Sequence, residues 1–427
     1  MNAPSSALFA GGTLVLPDRV ETGMLRIEDG VIAAPGSAER DGPCTRIDAA
    51  GLLVAPAIVD LGVFAVDRAA FHFGGIARAA LMPDQDPPLD HPARVNFIAK
   101  SGKPDLWIHP LAAATRNLDG TAIAELALMR EAGARAVATG RRWIADSAVM
   151  LRVMQYAAML GQPVITHAED GFLTHGSVAT AGEMATRLGL PAAPAAAEAL
   201  AVARDLALAR LAGARLHLRQ VTTRAALDLV RAAKAQGQDV TAGVTPAHFM
   251  LSDLDIGGFR SFARLSPPLR CEDDRQAVRE AIADGTIDVI SSGHDPRGVE
   301  DKRLPFADAA PGMAGAQTLL PLTMTLVRDG VIGLSRAFEL LARAPARILG
   351  VNAGALEPGF EADLILVDPD LPWIVSGEKM GGIAGNTPFD RQPVQGRALA
   401  VYKGGVEVSA AGSRTRGNPR SVGSGGH

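Results

Sequence analysis

The chain has 427 residues, 48% hydrophobic and 21% charged, with a formal net charge of −4. That length suffices for one large domain and a small one around an ample core. The near balance of charge excludes an electrostatic footprint for nucleic acid or an anionic membrane. Cys44 and Cys271 are far apart and in no Cys-x-x-Cys pattern, which points to reduced thiols in the cytoplasm. Residues 1–10 lack a basic region followed by a sustained apolar one, and no run nears the roughly 20 apolar residues of a membrane span. A soluble, cytoplasmic protein is expected.

In chain order, the opening reads as short strands over residues 7–9, 13–16, 24–28 and 31–33, with Gly11-Gly12 and Asp29-Gly30 as reversals. Residues 362–367, 397–402 and 406–408 have the same texture at the other end. The two blocks most economically form one composite β domain, 1–54 plus 350–409. Between them, residues 55–349 alternate apolar runs with amphipathic segments. Strands are expected at 58–64, 76–81, 106–111, 134–138, 163–167, 215–221, 239–245 and 287–291, and helices at 121–132, 147–160, 195–211, 222–236 and 274–283. Such alternation predicts an α/β fold, a (β/α)8 TIM-type barrel with a small composite β domain from both termini. Only 11 residues separate Phe64 from Ile76, so the first crossover helix should be vestigial or absent. The tail, 410–427, is rich in Gly, Ser and Arg and should be disordered. No internal repeat or phosphate-binding loop is found, since Gly243 and Gly257-Gly258 do not build one.

Several stretches carry a resemblance. Pro163-Val164-Ile165-Thr166-His167-Ala168-Glu169-Asp170 resembles the fifth-strand motif of dihydroorotases. Ser266-Pro267-Pro268-Leu269-Arg270 and the run from Gly285 through Ser292-Gly293-His294-Asp295-Pro296-Arg297 are similar to their late-barrel motifs. Met82-Pro83-Asp84, Thr245-Pro246-Ala247-His248, Asn386-Thr387-Pro388-Phe389 and the segment 359–363 add further matches, so the likeness covers roughly residues 13–408.

The resemblance implies a metal site at the strand ends: a first-strand His-x-His, a carboxylated lysine or acid on strand four, a histidine on each of strands five and six, and an aspartate on strand eight. Carried over, these positions fall on Gly62 and Phe64, near Thr139, on His167, on Gln220 and on Gly293. Glycine has no side chain and a phenyl ring offers no lone pair to a dication. One imidazole does not meet the roughly three protein ligands of a catalytic zinc. The residues that read the substrate in the family fall on Val66, Asp84, Ser266 and Arg297.

The expectation is therefore an inactive, dihydroorotase-like chain of pyrimidine biosynthesis with no cofactor and no catalytic residues. It resembles the noncatalytic homologues that support assembly of aspartate carbamoyltransferase, whose catalytic chain would be its partner in a homo- or hetero-oligomer. The alternative is a divergent metal-dependent amidohydrolase that opens a cyclic amide, with a rewired zinc site drawn from His167, His217, His294 and Asp295.

Overall fold

The first-barrel-strand segment Ile58–Val63 is buried at every position, as a strand covered on both faces by helices must be. In the computed structural model, which describes residues 6–34, 36 and 44–408, it pairs in parallel with Ile76–Leu81, and that strand with Trp107–Pro110. The third strand continues beyond Leu111 as Ala112–Ala113, which pairs with Val137–Ala138. Val164–Thr166, Leu216–Leu218, Val240–Val244 and Val289–Ile290 follow in parallel order. The eighth strand returns to the first through Ser292 N donating to Asp60 Oδ1 at 2.9 Å and Phe64 N donating to His294 O at 2.8 Å. The fold class read from the sequence is the one observed. The tail expected to be disordered lies outside the described residues.

Helices Ser147–Met159, Ala196–Ala212, Arg224–Ala235 and Glu272–Ala283 lie where the sequence reading puts them, within two residues. The segment expected at 121–132 shortens to Leu126–Glu131, because Ile123 instead bridges to Thr115. The cramped first crossover holds a seven-residue helix, Arg68–Gly74. Asp67 caps it by accepting from Ala70 N, and Gly75 ends it in the left-handed region. Helix Pro92–Ser101 has no counterpart in the sequence reading. It buries only Val95 and so carries little apolar period.

Strands from both ends share one eight-stranded sheet. Its junction is antiparallel pairing of Leu364–Ile374 with Leu53–Pro56, with Ile365 opposite Ala55. Gly11-Gly12 do not reverse the chain. Ser6–Val15 is a single strand with a bulge between Ala10 and Gly12, paired along its length with Val20–Glu28. Phe9 packs edge-on against Tyr402 at 5.0 Å within the core of this sheet. Arg78, on the second barrel strand, reaches into the β domain and pairs with Asp363 at 2.6 Å and with Glu361. Among the described residues, no helix is long and apolar enough to cross a membrane.

Candidate active site at the barrel mouth

The C-terminal ends of the strands place Gly62, Phe64, His167, Arg219, Gln220 and Gly293 around one mouth. Arg219 fills its centre. The side chain is only 2% exposed, and Nη2 lies 3.2 Å from His167 Nδ1. Its guanidinium carbon is 5.1 Å from the Phe64 ring, whose other neighbour is the Arg141 guanidinium at 3.7 Å. A Cβ on Gly62 would stand 3.3 Å from Arg219 Cδ, at a backbone φ of +111°. Gly293 has φ +58°, and a Cβ there would meet Thr245 Cγ2 at 2.9 Å. Both glycines therefore sit where an L side chain is strained. At Gly62 the added side chain would also run into Arg219.

His167 has both ring nitrogens engaged: Nδ1 faces Arg219 and Nε2 lies 3.5 Å from Glu169 Oε2. Burial, helped by the charge of Arg219, keeps the imidazole below its ordinary pKa. It is therefore neutral at pH 7, with its proton on Nε2 toward Glu169. Burial works to raise the Glu169 pKa, yet the hydrogen bond from His167 and the nearby charge of Arg270 outweigh it, and the carboxyl stays below its usual range. Arg270 lies 3.4 Å from Glu169 and 3.1 Å from Glu198. Glu198 in turn accepts from the backbone and hydroxyls of Thr222 and Thr223, which locks this wall in place. Burial draws the Arg219 guanidinium down to about 10, so it remains a cation.

The strand-four residue Thr139 accepts from His167 N at 3.3 Å, a structural contact. Beyond it, Arg141 N donates to Asp84 Oδ1 at 2.8 Å and Arg141 Nη2 to Asp295 Oδ2 at 2.5 Å. Arg297 Nη2 reaches the same Asp295 oxygen at 3.0 Å. A cavity of about 200 Å³ opens over this cluster, walled by Arg141, Trp143, His167, Glu169, Arg264 and Ser266.

The four residues proposed for a rewired zinc site do not converge. His217 is buried lower in the barrel with Nδ1 2.9 Å from Thr241 Oγ1, and burial pulls its pKa to about 3. His294 turns outward from the mouth: Nε2 lies 3.5 Å from Asp67, and the ring packs edge-on against Phe71. Asp295 is taken by two arginines. Among the described residues, no three His, Cys, Asp or Glu side chains are grouped to hold a metal. A zinc on either nitrogen of His167, about 2 Å away, would sit within about 7 Å of the Arg219 guanidinium. At an effective dielectric near 20 the repulsion is about 5 kcal/mol. The residues present do not fit the metal that the family pattern implies.

A parallel (β/α)8 barrel with its pocket at the strand C-termini and a β sheet built from both chain ends defines an amidohydrolase-type protein. A dihydroorotase from Pelotomaculum thermopropionicum is 38% identical over 418 residues, covering 94% of this chain and 98% of that one. One from Geobacter metallireducens is 34% identical over 418 residues, with 94% and 99% covered. Residues 54–226 match the family model described as dihydro-orotase-like. The L-hydantoinase (dihydropyrimidinase) of Arthrobacter aurescens superposes with a TM-score of 0.84 at 25% identity, covering 94% of this chain and 95% of that one. The dihydropyrimidinase of Brevibacillus agri does so at 0.81 and 21%, with 94% of each chain covered. The chain belongs to the dihydroorotase family. These relatives overturn the expectation of an inactive chain: kin this similar along nearly the whole length are dihydroorotases. The reading of an inactive chain rested on missing metal ligands and overlooked what fills their place. Arg141, Arg219 and Arg264 were the residues missed. The available signal was a glycine at position 62 together with a long cationic side chain at 219, just past the end of the sixth strand.

Proposed function

We propose that this chain is a divergent amidohydrolase of the dihydroorotase family that opens a small cyclic amide at the barrel mouth, with a site rewired from metal ligands to arginines. The observation that carries the reading is the cavity walled by Glu169, His167, Arg141 and Arg264 at the strand C-termini. In the reaction, water adds to a ring carbonyl, the ring C–N bond breaks, and the nitrogen takes up a proton. Glu169, held ionised against burial, is the base that receives the proton of the attacking water. His167 positions Glu169 and holds the adjoining proton, while the fixed positive charge of Arg219 behind His167 favours the oxygen that gains charge. No step is routed through a metal.

The test is turnover of dihydroorotate, dihydrouracil and hydantoin by the full chain, each followed by loss of the ring chromophore. At least one ring should open, and Glu169→Gln should slow it by roughly 10²–10⁴-fold with the fold intact. Failure to open any of the three, or an unchanged rate in Glu169→Gln, would overturn the assignment.

Association with the aspartate carbamoyltransferase catalytic chain in the cytoplasm is a second proposal. It rests on the sequence resemblance and on the exposed Leu200 and Leu211 of helix Ala196–Ala212, beside the exposed Met159 of the helix packed against it. Light scattering of the two mixed chains tests it: independent masses at micromolar concentration, or no loss of a complex on Leu211→Glu, would rule it out.

A further inference from the structure

Three arginine Nε–H groups at the mouth, those of Arg141, Arg219 and Arg264, are buried without a protein acceptor. Buried donors left unmatched are rare, because each costs about 1–3 kcal/mol. Two of the three wall the cavity, and the third lies beneath it against His167 and Phe64. The acids nearby do not answer them. Asp295 is shared by Arg141 Nη2 and Arg297, Glu169 is held by His167 and Arg270, and Asp84 accepts from the Arg141 backbone through Oδ1 while its buried Oδ2 bonds to none of the three. Arg219 has no carboxylate within ion-pair distance among the described residues, although it is almost fully buried. A buried guanidinium with no carboxylate partner is unfavourable unless something else brings negative charge.

We propose that Arg219 takes the place of the metal centre as the fixed cation of the site, and that the cavity above it receives an oxyanion of its cyclic ligand between Arg141 and Arg264, so that binding needs no divalent cation. This rests on the reading of the cavity as the substrate site, but it is separable from hydrolysis. The usual clamp position of the family holds Val66, which has no charge to offer. Arg141 comes from the end of strand four and Arg264 from the loop before Ser266, so the clamp is drawn from elements other than the first strand. Both guanidinia present planar pairs of donors suited to a carboxylate. Phe64, standing where the family has a metal-ligating histidine, instead serves as the surface on which Arg141 and Arg219 are stacked.

Isothermal titration of the full chain, dialysed against EDTA, with dihydroorotate and with its uncharged counterpart dihydrouracil tests the proposal. Dihydroorotate should bind at least tenfold more tightly, with a Kd unchanged by EDTA or by added zinc. Arg264→Gln and Arg219→Met should each weaken dihydroorotate at least tenfold and leave dihydrouracil within a factor of two. Among the described residues the Arg264 side chain donates only one hydrogen bond, 3.3 Å to Leu265 O, so its variant should keep the native melting temperature even if the Arg219 variant does not. Equal affinity for the two rings, no binding of either, or binding only after zinc is added would overturn it. Turnover without preference for the charged ring would retain the hydrolase assignment and remove this one. Binding without turnover would do the reverse.

Discussion

Two arginines, Arg78 and Arg219, are each 2% exposed, and they are buried in opposite ways. Arg78 joins the second barrel strand to the β domain and meets two carboxylates, Asp363 and Glu361. Arg219 stands at the barrel mouth and meets an imidazole and a phenyl ring. The first is a closed ion network whose charge is matched inside the protein. The second has no carboxylate at ion-pair distance among the described residues, and Asp84, Asp295 and Glu169 act on it only from farther away. Structure alone accounts for Arg78, whereas the burial of Arg219 without a direct ion pair is what the proposed anion-binding site would use.

The contrast is sharpest in stability. Arg78→Met strands Asp363, which is itself buried, and should cost about 3–5 kcal/mol. A urea midpoint within error of the wild type would show that the network does not tie the domains together.

Acid should affect both neighbourhoods next. Burial first, and then the adjacent arginine, holds His109 beside Arg78 and His217 beside Arg219 at about 3, well below the unfolded value. Protons bind the unfolded chain more readily than the folded one below about pH 6.5, so this stability is whole above that pH and falls as the pH drops toward the folded values. Each histidine should forfeit about 2 kcal/mol by pH 5. Denaturant midpoints at pH 7 and pH 5 check the sign, and equal midpoints would place these rings in contact with water.

Removing Arg219 should do much less. Arg219→Met strands no carboxylate, and loss of its contact with His167 is offset by no longer burying a charge, so stability should stay within about 1 kcal/mol of the wild type. A loss as large as that of Arg78→Met would make Arg219 structural after all. The smallest effect is spectroscopic. Because Arg219's charge helps lower both His167 and His217, the imidazole pKa values should move upward in Arg219→Met, visible in ring-proton NMR titrations. A downward movement would contradict the electrostatics.

The barrel was legible because its strands are short apolar runs at regular spacing, and because His167, Pro267-Pro268 and His294-Asp295 sit in motif order. The β domain was legible in texture but not in detail: Gly11-Gly12 read as a turn, while pairing with Val20–Glu28 along the whole strand made it a bulge. Helix Pro92–Ser101 was hidden by its solvated faces. The site was half legible. Gly62, Phe64, Gln220 and Gly293 could be read as positions without metal ligands, but a chain written in one dimension does not show that Arg219 lies 3.2 Å from His167 across a sequence separation of 52. The reading of inactivity came from counting the ligands lost, without the cations gained.

Metal content and turnover measured on one preparation test the central claim most directly. Protein purified without added metal is divided, one half is treated with a chelator, and zinc and ring-opening rate are determined in both. The account predicts zinc far below the roughly one equivalent of a catalytic site, and the same turnover in both halves. About one equivalent of tightly bound zinc, with activity that disappears on chelation and returns when zinc is restored, would contradict it.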